Sequence, residues 1–291
     1  MKDAIFALNW RAARSSPRVL AGGIIVLAVI GCALFAPWIS PNDPDEQNLI
    51  ASLLPPFWVA GADPAYPFGT DSLGRCVLSR LIYGARVAVY VAVTASFGAM
   101  LVGSTLAHLA GYFRGRVDWI IGRTVDVWMS FPPVVLSLIL MVGFGVGINN
   151  VVLAIVLVDW TRFCRVLRSE VLVVMHRDYI AAARLVGFSH AQIILRELLP
   201  ATAPLLVTLL SLEMGIAVVV EAILSFVGMS VEARIPAWGV MIADSRNYMY
   251  QTAWNLVLPI LAVFVTVLGF NLLGDGLRRT LDPRVAQRAG G

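Results

Sequence analysis

The chain has 291 residues, 59% of them hydrophobic and only 14% charged, with a net charge of +4. Soluble domains carry about a quarter charged residues, so this composition excludes an ordinary soluble fold and directs the basic residues to be read by position rather than as a nucleic-acid footprint. Lys2 is the only lysine. A phosphate-binding loop needs a lysine after a glycine-rich turn, so the chain has no such loop and any ATP must be bound elsewhere.

Crossing about 30 Å of hydrocarbon takes about 20 mostly apolar residues. Six stretches qualify: 19–39, 87–110, 129–148, 150–169, 203–227 and 254–274. The first includes Cys32, and its apolar run continues past that cysteine through Phe35 and Ile39, which describes a retained anchor rather than a cleaved leader. Pro132 and Pro133 open the third stretch, where missing amide donors cost least. The reading is an all-α integral membrane protein with six transmembrane helices.

Arginines orient the bundle. Placing the N-terminus inside gives the inner segments Lys2, Arg11, Arg14 and Arg18, then Arg114, Arg116 and Arg123. It also gives them Arg162, Arg165, Arg168, Arg177, Arg184, Arg196, Arg278, Arg279, Arg284 and Arg288. Only Arg75, Arg80, Arg86, Arg234 and Arg246 fall outside. The positive-inside rule therefore predicts both termini in the cytoplasm. Trp119, Trp128 and Trp160 on one side, and Trp38, Trp238 and Trp254 on the other, are expected as interfacial anchors.

Residues 40–86 are rich in proline and acid, and are expected to form a structured external lobe. Within them, Gly69, Asp71, Gly74 and Arg75 make a glycine-punctuated turn that either satisfies its own polar groups or contacts a partner. The domain division is 1–86 for tail, first span and lobe, and 87–291 for the core.

The most informative stretch is the cytoplasmic loop between the fourth and fifth spans, at about 170–200. Apolar residues recur at helical spacing from Leu172 to Leu185, Gly187 is placed to end that helix, and Ser189 to cap a second over 191–199. Two short helices meeting at a glycine make a compact knob, and Ala181, Ala182 and Ala183 let a partner backbone approach. Within the spans, Glu213 and Glu221 are candidate linings of a translocation path or helix–helix hydrogen bonds, while Asp159 is read as structural. His108, His176 and His190 are scattered and form no metal cluster, and no cysteine pair has zinc or redox spacing.

The loop resembles the coupling loop of bacterial ABC importer permeases at Ala182, Ala183, Gly187, Ile193, Leu199 and Pro200. Ala181 stands where that family usually has glutamate, and Glu197 where histidine is common. Phe68-Gly69-Thr70-Asp71-Ser72-Leu73-Gly74-Arg75 and the run from Leu78 to Arg86 are similar to C-type permeases of dipeptide, oligopeptide and nickel importers, with Cys76 replacing an aspartate. Glu221-Ala222-Ile223-Leu224-Ser225-Phe226-Val227-Gly228, Trp238-Gly239, the run from Phe270 to Arg278, and Leu281-Asp282-Pro283-Arg284 extend the match over nearly the whole chain.

The resemblance implies a permease in a bacterial inner membrane, paired with a second homologous permease as a heterodimer. It implies two ATPase subunits that hold ATP and Mg, and an extracytoplasmic binding protein that delivers peptide. Under it, Tyr179, Ala182, Ala183, Gly187, Ile193 and Pro200 couple to the ATPase, and the chain itself carries no catalytic residue, cofactor or metal. A nickel-type permease shares these signatures. A gradient-driven transporter using Glu213 and Glu221 leaves the loop pattern unexplained and lacks evident inverted halves, and no span pairs a nucleophile with a base as an intramembrane enzyme would.

Overall fold

A computed structural model describes residues 16–232 and 234–281. The basic residues Lys2, Arg11, Arg14, Arg284 and Arg288, and the motif residues Asp282 and Pro283, lie outside the described residues. Among the described residues the chain is helical and contains no strand beyond an isolated bridge between Thr70 and Cys76. We number the helices α1 (Pro17–Ile39), α2 (Val77–Phe113), α3 (Gly115–Met129), α4 (Pro133–Phe144), α5 (Ile148–Val174), α6 (Asp178–Leu185), α7 (His190–Ile193), α8 (Leu199–Phe226), α9 (Trp238–Ser245) and α10 (Ala253–Leu281).

Long apolar runs make these helices, because a backbone crossing hydrocarbon must satisfy its own polar groups. Four are long and apolar enough to cross a membrane: α1, α2, the unbroken stretch His190–Phe226, and α10. A fifth crossing arises if α3 and α4, bent by 88°, count as one broken span. The bend falls where Pro132 and Pro133 lack amide donors and cannot continue the ladder. The stretch expected at 129–148 is therefore shorter as a helix than anticipated, since α4 has only 12 residues. The helix at 150–169 extends over Ile148–Val174, with Asp159 near its middle and Arg162, Arg165 and Arg168 in its second half, and those charges keep it outside the apolar set despite its 27 residues.

Two other boundaries move. α2 begins ten residues before the expected position 87, so the division drawn at residue 86 falls inside a helix. Arg80 lies in this added stretch, 1% exposed, with its Nε 3.9 Å from Asp71. The helix expected over 172–185 is broken at 175–177, with the backbone amides of His176 and Arg177 turning back to Val173 and Val174.

The long helix α2 is the spine. It packs most extensively on α5, while α10 holds α1 and α8. Close approach depends on small residues, as is usual between membrane helices. A Cβ at Gly103 of α2 would run into the backbone of Trp160 on α5, and one at Gly239 of α9 into Ala222 on α8. Two of the expected interfacial tryptophans belong to this interior: Trp160 is 7% exposed, and Trp238 is 4% exposed with its indole N–H donating to Leu81 O at 3.0 Å. Trp38 and Trp119 remain on the outside.

Candidate functional site

The knob is built at one end of α2. α6 stops at Leu185, and Gly187 follows with φ +89, the left-handed conformation in which a side chain is strained. The amide of Phe188 returns to Ala183 O at 3.1 Å and that of Gly187 to Arg184 O at 3.0 Å, closing the helix end. Ser189 then opens α7 with a reciprocal cap: its hydroxyl accepts from the Gln192 amide, and its own amide donates to the Gln192 side chain at 2.8 Å. α7 does not stand apart as a second short helix. A π-helical turn over Ile194–Leu198 carries it into α8, just ahead of Pro200.

The knob's inner side is anchored, and its outer side carries an apolar patch among polar residues. Ile180, Ile193 and Leu198 are fully buried in a cluster with Trp160, Phe163 and Leu167. The Tyr112 hydroxyl meets His190 Nδ1 at 2.6 Å, and the Arg184 guanidinium sits 5.8 Å from the Tyr112 ring centre. Outward, Leu185 is 89% exposed and Val186 77%, joined by Leu195 and Tyr179. Of the residues singled out in sequence, Tyr179, Ala182, Gly187 and Pro200 face outward, Ala183 is half-buried, and Ile193 is turned inward as an anchor. Leu185 and Val186 escaped the sequence reading because apolar residues at a helix end read as core.

At the other end of α2 lies the turn 69–75. Asp71 Oδ1 accepts from the amides of Leu73 and Arg75 at 2.9 Å each, and its Oδ2 from Arg75 Nε at 2.7 Å. Arg75 also reaches Asp244 on α9 at 3.2 Å, and Asn255 at the start of α10 donates to Thr70 O at 2.8 Å. Gly69 and Gly74, at φ +75 and +73, are pressed so close to the backbones of Leu54 and Asn48 that a Cβ would collide there. The four residues expected together here do come together, and the turn satisfies its own polar groups while tying the lobe to α9 and α10.

The two candidate path carboxylates do not share a surface. Glu213, 3% exposed on α8, accepts from Arg162 Nη1 of α5 at 3.4 Å, and Arg162 also lies 3.8 Å from Asp159. Arg162 is the member of this group that reaches the surface, at 36% side-chain exposure. Its role was not visible in sequence, since only the fold brings α5 beside α8. Glu221 is 1% exposed and accepts from the hydroxyls of Ser225, at 2.5 Å, and Ser230, at 3.2 Å. The three histidines have separate partners: His108 meets Thr202, His176 meets Leu172 O, and His190 meets Tyr112.

Comparison with known proteins places this architecture. Residues 99–287 match the family of the binding-protein-dependent transport system inner membrane component, and residues 5–56 match the N-terminal transmembrane domain of oligopeptide transport permease C. The chain is 35% identical over 280 residues to the di/tripeptide transport system permease protein DppC of Pseudomonas aeruginosa, covering 96% of this chain and 92% of that one. It is 34% identical over 281 residues to the dipeptide transport system permease protein DppC of Haemophilus influenzae, covering 96% and 94%. It is 36% identical over 276 residues to the glutathione transport system permease protein GsiD of Escherichia coli, covering 95% and 89%. The chain belongs to the family of inner-membrane permease components of binding-protein-dependent transport systems, a multi-pass membrane protein of the ABC importer type.

Proposed function

We propose that this chain forms half of the translocation path of an ATP-driven importer for short peptides, in a heterodimer with a second permease. Six crossings, with α3–α4 and α5 supplying the third and fourth, would put both termini and the knob in the cytoplasm. Two ATPase subunits would hold ATP and Mg, and a binding protein would deliver peptide on the side of the turn 69–75. The observation that carries this reading is the placement of the two sites at opposite ends of α2, whose 37 residues reach roughly 55 Å. That spine is long enough to set an apolar knob beyond one face of the bilayer and a closed, self-satisfied turn beyond the other.

In this mechanism, closure of the ATPase dimer pulls the knob at 179–200 as a near-rigid body. The continuous helix His190–Phe226 passes that movement to the bundle and opens the translocation path alternately to one side and the other. The chain's part is mechanical, and the hydrolysis belongs to its partners. Arg162, held between Asp159 and Glu213, is the proposed polar contact along the path, while Glu221 locks the end of α8 to the segment carrying Ser230.

The test is uptake by the whole complex in proteoliposomes, with a panel of labelled di-, tri- and longer peptides and with nickel. ATP-dependent uptake of short peptides is the expected result. Uptake that survives ATP removal and collapses with an uncoupler would contradict the mechanism, and uptake of nickel alone would contradict the substrate class.

A further inference from the structure

Between α3 and the second half of α5 lies an open cleft of about 480 Å³ that the transport mechanism does not use. Its walls carry Arg123, Arg165 and Arg168 against Asp118 and Asp126, leaving one positive charge over. Arg168 is neutralised, because its guanidinium binds both carboxylate oxygens of Asp118, Nη2 to Oδ2 at 2.6 Å. At the mouth the balance is different. Arg165 and Arg123 share a single carboxylate, Asp126, at 3.1 and 3.6 Å, and the side chains of all three are more than half exposed.

The setting says what kind of anion fits. Arg116, Trp119, Arg123 and Asp126 recur at helical spacing along one face of α3, and Trp119 is 65% exposed. Ile120 and Val127, each 58% exposed, continue that face as an apolar shelf. A free cytosolic phosphate would need the guanidiniums but not the shelf. Paired arginines beside an exposed indole and an apolar strip match the headgroup level of a bilayer, where a phosphate sits at the water side and acyl chains at the other.

We propose that this cleft holds the headgroup phosphate of an anionic phospholipid, clasped by Arg123 and Arg165 with Trp119 at the glycerol level. The inference is independent of the substrate and of coupling; only the leaflet, the inner one, rests on the topology proposed above.

The experiment uses the complex purified in an uncharged detergent and counts retained lipid by native mass spectrometry, with phosphatidylglycerol, phosphatidylcholine and inorganic phosphate as probes. The wild-type complex should retain phosphatidylglycerol over phosphatidylcholine. Arg123→Gln with Arg165→Gln should weaken that retention by about fivefold for each charge removed. Asp126→Asn, which frees both arginines, should strengthen it by about the same factor, so the two variants move in opposite directions and a folding defect cannot imitate both. Arg177→Gln with Arg278→Gln removes equal charge from exposed sites elsewhere and should leave retention unchanged. Equal retention in all variants would overturn the proposal. So would inorganic phosphate displacing the lipid at matched concentration, or a second permease subunit covering the cleft in the assembled complex.

Discussion

The turn 69–75 and the knob 179–200 stand at opposite ends of α2, and both are built around glycines of positive φ, yet they are finished differently. In the turn, Gly69 and Gly74 are enclosed by backbone, and Asp71, Arg75 and Asp244 answer one another. In the knob, nothing lies within 4 Å of where a Gly187 side chain would begin, and Leu185 and Val186 face outward. One region is complete within the chain. The other is shaped and anchored by the chain but leaves apolar surface uncovered, as a docking element does.

That difference can be broken by substitution. Gly74→Ala combines a strained φ with collision against the Asn48 backbone, and should cost about 4 kcal/mol or more of stability. The check is thermal unfolding and membrane abundance of the complex; a variant as stable as wild type would mean the turn is not the rigid tie described. Gly187→Val meets no neighbour and should cost only about 1–2 kcal/mol through backbone strain. It should nonetheless remove uptake, because the turn between α6 and α7 changes shape. Gly187→Asn, which tolerates left-handed backbone better, should retain most uptake, and equal activity of the valine and asparagine variants would sink the shape argument.

The smallest effect belongs to the cap. Ser189→Ala loses the hydroxyl that accepts from Gln192 and should destabilise the knob by about 1 kcal/mol. Hydrogen exchange at 189–193 should speed up, with the turn 69–75 unaffected. Faster exchange at both ends of α2 would show that the two regions are not independent.

Much of the knob was legible in sequence because its signals are local. A glycine after a periodic run and a serine three residues before a glutamine specify a helix stop and a capped start without reference to the rest of the chain. The self-satisfied turn was legible for the same reason, since Asp71 and Arg75 are four residues apart. What stayed hidden depends on distant partners. Arg80 sits buried inside α2 near Asp71 and the Pro44 carbonyl, whereas a hydropathy window counts it only as a charge. Arg162 meets Glu213 only once α5 lies beside α8, and Trp238 is interior because Gly84 leaves room for its ring. Pro132 and Pro133 do open a helix, as their missing amide donors predict; what the local sequence does not show is that this helix turns 88° from α3.

The central claim is that an exposed apolar knob couples this chain to an ATPase, and Leu185→Ser with Val186→Ser tests it most directly. Both side chains are largely exposed, so the permease itself should keep its stability to within about 0.5 kcal/mol. The account predicts that the ATPase subunits no longer co-purify with the variant and that ATP-driven uptake is lost. A variant that keeps its ATPase subunits and transports at the wild-type rate would contradict it.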